Sequence, residues 1–362
     1  MQQFLNLTQN QKKEFLNSFG AKLDKVTLNN EIMYIVVFND KTYENSNKFN
    51  DFIRSLRGLI FNDKGQIISR TYSVPYDVVN EKLDLDLYKL NCSKLEHSVE
   101  ELIDGILLRL TYFDKIDKWV LSSNSKIFAE DKFYIKFNLC VNIEELTKNL
   151  NKNNIYLFIL CDPDNSIIIN YTRAKVYYVS TIDKSTGNEL PLEDIHMNIH
   201  MNMNMNINIP YTYENSKINF NDEITSYVVK FKNGQRYRFE SMSYTTLKLM
   251  RGKGSIEHKI INLIRYGNNN VIQVFLYNFP NHIPLFNELS KKIHELPNIL
   301  YNLYVDRYIT HKINYVNGPA KHKFLLEIHK TYISNTKCKI KLVNIVNKLF
   351  NIDVKILSSL LN

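Results

Sequence analysis

The segment from Tyr227 to Glu240, YVVKFK–NG–QRYRFE, constrains the fold of this chain more than any other stretch. Apolar and polar residues alternate on both sides of Asn233-Gly234, and Asn-Gly is the strongest two-residue signal for a tight antiparallel hairpin. Strand-and-turn patterns of the same kind recur upstream. Ile32–Phe38 reads as a buried strand, and the Asn- and Lys-rich stretch from Asn39 to Asn50 as a loop. SLRGLIF, Ser55 to Phe61, turns at Asn62-Asp63-Lys64-Gly65 into Gln66–Arg70. Val99 to Ser123 reads as one hairpin around the polar bend Asp114-Lys115-Ile116-Asp117. Ile155–Cys161, the turn Asp162-Pro163-Asp164-Asn165, Ser166–Tyr171 and Val176–Thr181 add further strands. Helical spacing is expected within residues 1–25, with Gly20 as its stop, and near Val141–Leu150. Many strands, several hairpins and few helices predict an α+β unit with largely antiparallel sheets and flanking helices.

Beyond Ser241 the period changes. Leu247, Ile256, Ile260, Leu263 and Ile264 recur at helical spacing, as do Ile293, Leu296, Leu300 and Leu303, and later Leu342, Ile345, Val346 and Leu349. The expected organisation is therefore an α+β domain over residues 1–242 and an all-helical domain over 243–362. Within the first, residues 192–212 contain the monotonous run HMNIHMNMNMNINI, expected to be a variable surface loop. Its His196 and His200 are not expected to bind metal.

Charge separates the two parts. The chain carries +9 in total, but residues 241–362 hold 17 Lys and Arg against 6 Asp and Glu, leaving the first 240 residues slightly acidic. A basic module beside a near-neutral one points to a polyanionic partner. Lys248, Arg251 and Lys253, in LKLMRGKGS, form its densest basic spot, with Tyr244 and Tyr266 near enough in sequence to offer stacking rings. The four cysteines (Cys92, Cys140, Cys161, Cys338) include no CxxC pair, which argues against a zinc site or a disulfide framework. No apolar run reaches the roughly 18 residues of a membrane span, and the first residues lack a signal-peptide pattern. A cytoplasmic location without membrane contact is expected. Alanine occurs only four times amid abundant Asn, Ile and Lys, the mark of an AT-rich genome, whether of a large DNA virus, a cytoplasmic plasmid or an AT-rich protist.

Taken in order, these pieces resemble the T-even phage RNA ligase 1 family of ATP-dependent RNA ligases. The order is an LRGLIF hairpin, an SR element, an xxDG hairpin, an apolar strand with a Pro-Asp-Asn turn, an STG loop, the YVVKFKNG hairpin and a basic helical tail. The resemblance spans roughly residues 30 to 255. It implies a nucleotidyltransferase-like fold in which a KxDG lysine becomes adenylylated and the AMP passes to an RNA 5′-phosphate. It also implies a ribose-binding glutamate, a Glu-Gly pair supporting a divalent metal, and two phosphate-binding lysines on the last strand.

Carried onto this sequence, the lysine falls on Leu102, while Asp104 and Gly105 remain. The ribose glutamate falls on Ile159, the Glu-Gly pair on Thr225-Ser226, and the last two lysines on Arg238 and Glu240. Arg57 and Arg70 are kept. Leucine has no nucleophile, so the resemblance predicts an RNA-ligase-like pseudoenzyme that no longer transfers nucleotides and retains a role in binding RNA or an RNA-processing partner. Leu102 is expected to share a strand face with Asp104 and, together with Ile159, to fill the old pocket. No metal or cofactor is expected; ATP and Mg2+ would be needed only if ligase activity survives through a relocated nucleophile. A structural or interaction subunit of a viral or plasmid assembly, without nucleic-acid contact, is the remaining alternative.

Overall fold

A computed structural model describes the chain except for residues 30, 40, 41, 43–48, 79–96, 166, 167, 170, 191–206, 214–225, 233, 253, 335–338 and 362. The chain divides into two compact units, Met1–Thr246 and Leu247–Asn362.

The first unit is α+β. Strands β1 (Lys22–Leu28), β2 (Glu31–Val37), β3 (Ile60–Asn62) and β4 (Ile67–Ser69) pair antiparallel in chain order. The helices Gln2–Leu5 and Gln9–Asn17 precede them. Thr8 starts the second helix with a reciprocal cap: its hydroxyl accepts from the Gln11 amide, and the Gln11 side chain accepts from the Thr8 amide. Phe4 and Leu16 from these helices pack on Val36 and Phe61.

The remaining strands are β5 (Tyr76–Val78), β6 (His97–Glu101), β7 (Ile106–Phe113), β8 (Lys118–Ser123), β9 (Asn154–Cys161), β10 (Lys175–Asp183), β11 (Glu189–Leu190), β12 (Ile207–Asn208), β13 (Thr212–Tyr213), β14 (Tyr227–Phe231) and β15 (Arg236–Phe239). Strands β7 to β12 form one sheet, with β9 between β7 and β10. A second sheet runs in the order β13-β6-β14-β15-β5. Every residue of β9 is buried, as expected of an apolar run with a layer on each face. One face, with Phe158 and Leu160, packs against Phe137 and Leu146 of the helices Asp131–Cys140 and Ile143–Thr147. The other, with Leu157 and Ile159, packs with Val179, Ile182 and Ile103.

Three expectations are corrected. Val99 to Ser123 is not one hairpin: β7 and β8 pair, but β6 belongs to the other sheet, and Leu102–Gly105 is the crossing between them. The run misled because Glu100 and Glu101 end β6 in the other sheet, and Asp104 lies in the crossing. The expected strand Ser166–Tyr171 is a bend at Ile168 and Ile169, whose amides are taken by Asp104 instead of a neighbouring strand. The low-complexity run ends not as loop but as β12, where Ile207 is buried and pairs with Val176. Residues 191–206, including His196 and His200, lie outside the described residues.

The second unit is helical: Ile256–Tyr266, Asn269–Asn278, Ile283–Tyr304, Pro319–Ser334, Leu342–Asn351 and Val354–Leu361. The apolar stripes read from the sequence meet in its core, with Ile260, Leu300, Leu325, Ile345 and Leu360 almost fully buried. Among the described residues no helix is long and apolar enough to cross a membrane.

Gly105 sits where the crossing closes on β9. A Cβ there would lie 2.6 Å from Ile159 Cγ2 and 2.7 Å from the Leu160 carbonyl oxygen. The second obstacle is backbone and cannot swing away. Gly105→Ala is expected to lower stability by about 1–3 kcal/mol, read as a shift in the urea midpoint with unchanged slope.

Candidate functional site

The period-two pattern of β6, β14 and β15 divides their side chains between two faces. Odd-numbered residues (Val99, Tyr227, Val229, Phe231, Tyr237 and Phe239) form an apolar cluster. Of the even-numbered ones, Ser98, Glu100, Lys230 and Arg236 line a cleft of about 1170 Å³ whose opposite wall includes Val179, Ser180 and Ile182 of β10. This cleft between two sheets is a concave feature of the first unit that polar groups converge on, and it is the candidate site.

Four of its charged side chains are joined in two pairs. Lys230 Nζ lies 2.6 Å from Glu100 Oε2, both largely buried, and donates to the Val179 carbonyl at 3.2 Å. Arg236 meets Glu189 through two nitrogens, one of them 2.7 Å from Oε2, and its guanidinium lies over the Tyr72 ring, 3.9 Å from the centroid. Arg238 stands opposite Asp77 in the β15–β5 register, with Nε 2.6 Å from Oδ1, and 3.4 Å from Glu240 Oε1. Burial works against the Arg238 charge, yet Asp77 and Glu240 outweigh it and hold its pKa above the ordinary value.

Leu102 continues the alternation Ser98–Glu100–Leu102, and its amide donates to the Ser226 carbonyl at 2.8 Å. It is half-buried and outside the apolar cluster of the opposite sheet. The pocket-filling expected of Leu102 falls instead to Ile103, with Ile159, which is 8% exposed. Nor does Leu102 share a strand face with Asp104, because both lie in the crossing. Asp104 is buried. One carboxylate oxygen accepts from the amides of Ile168 and Ile169 at 2.7 and 3.0 Å, and the Tyr244 hydroxyl also bonds to this side chain. Burial, then the nearby Asp104, pushes the Tyr244 hydroxyl well above its usual range.

Arg70 lines the cleft and covers Gly187 of the STG turn. Its Nε is buried without a hydrogen-bond partner, as are Thr71 Oγ1 and Ser180 Oγ on the same wall. Burial lowers the Arg70 pKa, and Asp183 partly offsets this. Arg57 lies behind the cleft, with Nη2 3.2 Å from the Tyr72 carbonyl. Thr225 and Lys253 lie outside the described residues. Lys248 and Arg251 are in the second unit, Lys248 exposed and Arg251 half-buried with Nη1 on the Gly252 carbonyl at 3.1 Å.

The residues present do not fit a divalent metal. Among the described residues no three His, Cys, Asp or Glu side chains gather as ligands, and Glu100, Glu189 and Glu240 each face a cation of the protein. Sequence reasoning missed Glu100, Lys230, Arg236 and Glu189. A signal for two of them was present: Lys230 and Arg236 share parity with Arg238 in the alternating hairpin.

No family model matches the chain. An immediate-early protein ICP-46 homolog of Invertebrate iridescent virus 6 is 22% identical over 319 residues, covering 76% of this chain and 67% of the viral protein. Among solved structures, an archaeal ATP-dependent RNA ligase (TM-score 0.46, 10% identity) covers 75% of this chain and 70% of its own. An ATP-dependent DNA ligase from Aquifex aeolicus scores 0.46 at 12% identity, with 78% and 72% covered. A Naegleria gruberi RNA ligase mutant with ATP and Mn scores 0.38 at 13% identity, with 67% and 83% covered.

Removing one partner of the Lys230–Glu100 pair strands the other charge in the cleft. Lys230→Met is expected to cost about 3–5 kcal/mol, and adding Glu100→Leu to recover most of that loss. Urea unfolding of the two single variants and the double variant measures the coupling.

Proposed function

We propose that this chain is an RNA-ligase-like protein of the T-even RNA ligase 1 type that no longer transfers nucleotides and binds RNA through its basic second unit. One observation carries the first half. The charged side chains on the cleft face of β6, β14 and β15 (Glu100, Lys230, Arg236, Arg238) neutralise one another or neighbouring carboxylates, and the position of the motif lysine is Leu102. A nucleotide triphosphate entering here would have to draw cations away from carboxylates that already hold them, exchanging one ion pair for another at little gain. The second half is supported by the basic balance of residues 241–362 and by Lys248 exposed on the helix Met242–Arg251.

Two measurements test the reading. After incubation with radiolabelled ATP or GTP and magnesium, a denaturing gel is expected to show no label on the protein; label on any lysine, Lys230 included, overturns the loss of transfer. RNA affinity is expected to fall linearly on a logarithmic plot against salt. Lys248→Glu with Arg251→Glu is expected to lower that slope by about 2, roughly one per phosphate contact. An absence of salt-dependent binding at low ionic strength overturns the RNA role.

A further inference from the structure

In the second unit the turn at Gly267 joins the helices Ile256–Tyr266 and Asn269–Asn278. A Cβ on Gly267 would lie 2.5 Å from the Leu263 carbonyl oxygen and 3.2 Å from Ile272 Cγ1, so glycine lets the two helices come this close. Leu263 from the first, Val271, Val274 and Phe275 from the second, and Met250 of Met242–Arg251 line a groove of about 390 Å³. The spacing of three and four keeps the residues of each helix on one side. Phe275 is buried in the core, but Val271 and Val274 are 48% and 50% exposed. The polar members of the lining are Asn270 and Lys259, and no carboxylate is among them.

Lys259 is half-buried and, among the described residues, forms neither a hydrogen bond nor an ion pair. Glu257, two residues away, accepts from the Ser358 hydroxyl instead. An ammonium beside apolar walls gains most from a carboxylate brought in with its partner, where a charge-assisted bond forms partly out of water. The surrounding unit favours the same sign of partner, since residues 241–362 hold 17 Lys and Arg against 6 Asp and Glu. A second copy of this unit would set that basic excess against itself. A lone alkyl carboxylate would satisfy Lys259 and leave its own outer side in water. An open groove walled by half-exposed valines is completed by an apolar surface that covers both. A helix with apolar residues at i, i+3, i+4 and i+7 and acidic flanks supplies that surface together with the carboxylate.

We propose that this groove docks an acidic amphipathic helix of a partner protein, its apolar stripe covering Val271 and Val274 and one of its carboxylates pairing with Lys259. The surface is separate from the RNA contacts proposed above, because neither Lys248 nor Arg251 lines it.

A designed helical peptide with one leucine stripe flanked by glutamates, titrated against the full chain by fluorescence anisotropy, tests the proposal. A scrambled peptide of the same composition is the control. The striped peptide is expected to bind saturably and about tenfold or more tighter than the scrambled one. Val271→Ser with Val274→Ser should weaken it about tenfold. Lys259→Glu should weaken it too, and should strengthen binding of a lysine-flanked version of the same stripe. Equal affinity for striped and scrambled peptides, no saturable binding, or binding unchanged by the serine substitutions overturns the proposal. So does a dimer in sedimentation that the serine substitutions abolish, which would assign the groove to a second copy. Both valines are half-exposed, and an unchanged urea midpoint separates lost docking from lost folding; should the serine variant unfold, the charge exchange at Lys259 decides.

Discussion

A charge placed between two packed sheets must find its opposite inside the protein or destabilise the fold by several kcal/mol. The first unit is arranged around that constraint. Its five-stranded sheet turns an apolar face one way and, by the period of two, a charged face into the cleft. There Lys230 and Glu100, Arg236 and Glu189, and Arg238 and Asp77 close on one another. The pairing lets the sheets approach without a ligand.

The same constraint explains which parts of the xxDG element persist. Asp104 and Gly105 perform structural tasks that do not depend on catalysis. The carboxylate takes up the amides of Ile168 and Ile169, which have no strand partner, and the glycine lets the crossing approach β9 within the space a Cβ would need. A lysine at residue 102 has no such task. Leucine there keeps the backbone bond to Ser226 and introduces no charge that would require a partner. Ile159 opposite joins the apolar cluster of its own sheet.

The sheet-rich first part, the helical last part and most individual strands were legible from local pattern, because a period of two or 3.6 is written in neighbouring residues. The Tyr227–Glu240 hairpin was visible in its alternation alone. What could not be read was which sheet each strand joins. Nothing in Val99–Ser123 marks the change of partner at Leu102, since the bond of Leu102 is to a carbonyl more than a hundred residues away. The site was half legible for the same reason. Arg238 and Glu240 were identifiable as positions, but the pairing of Arg238 with Asp77 depends on the parallel β15–β5 register.

The second unit stands apart in composition and construction: helices with apolar stripes inside and an excess of lysine and arginine over acidic residues. The most direct test is a crystal structure of the full chain soaked with ATP and magnesium. The account predicts an inter-sheet cleft with the Lys230–Glu100 and Arg236–Glu189 pairs intact and no nucleotide density beside Leu102. A triphosphate seated between the sheets, with Lys230 or Arg236 drawn from its carboxylate onto the phosphates, would contradict it.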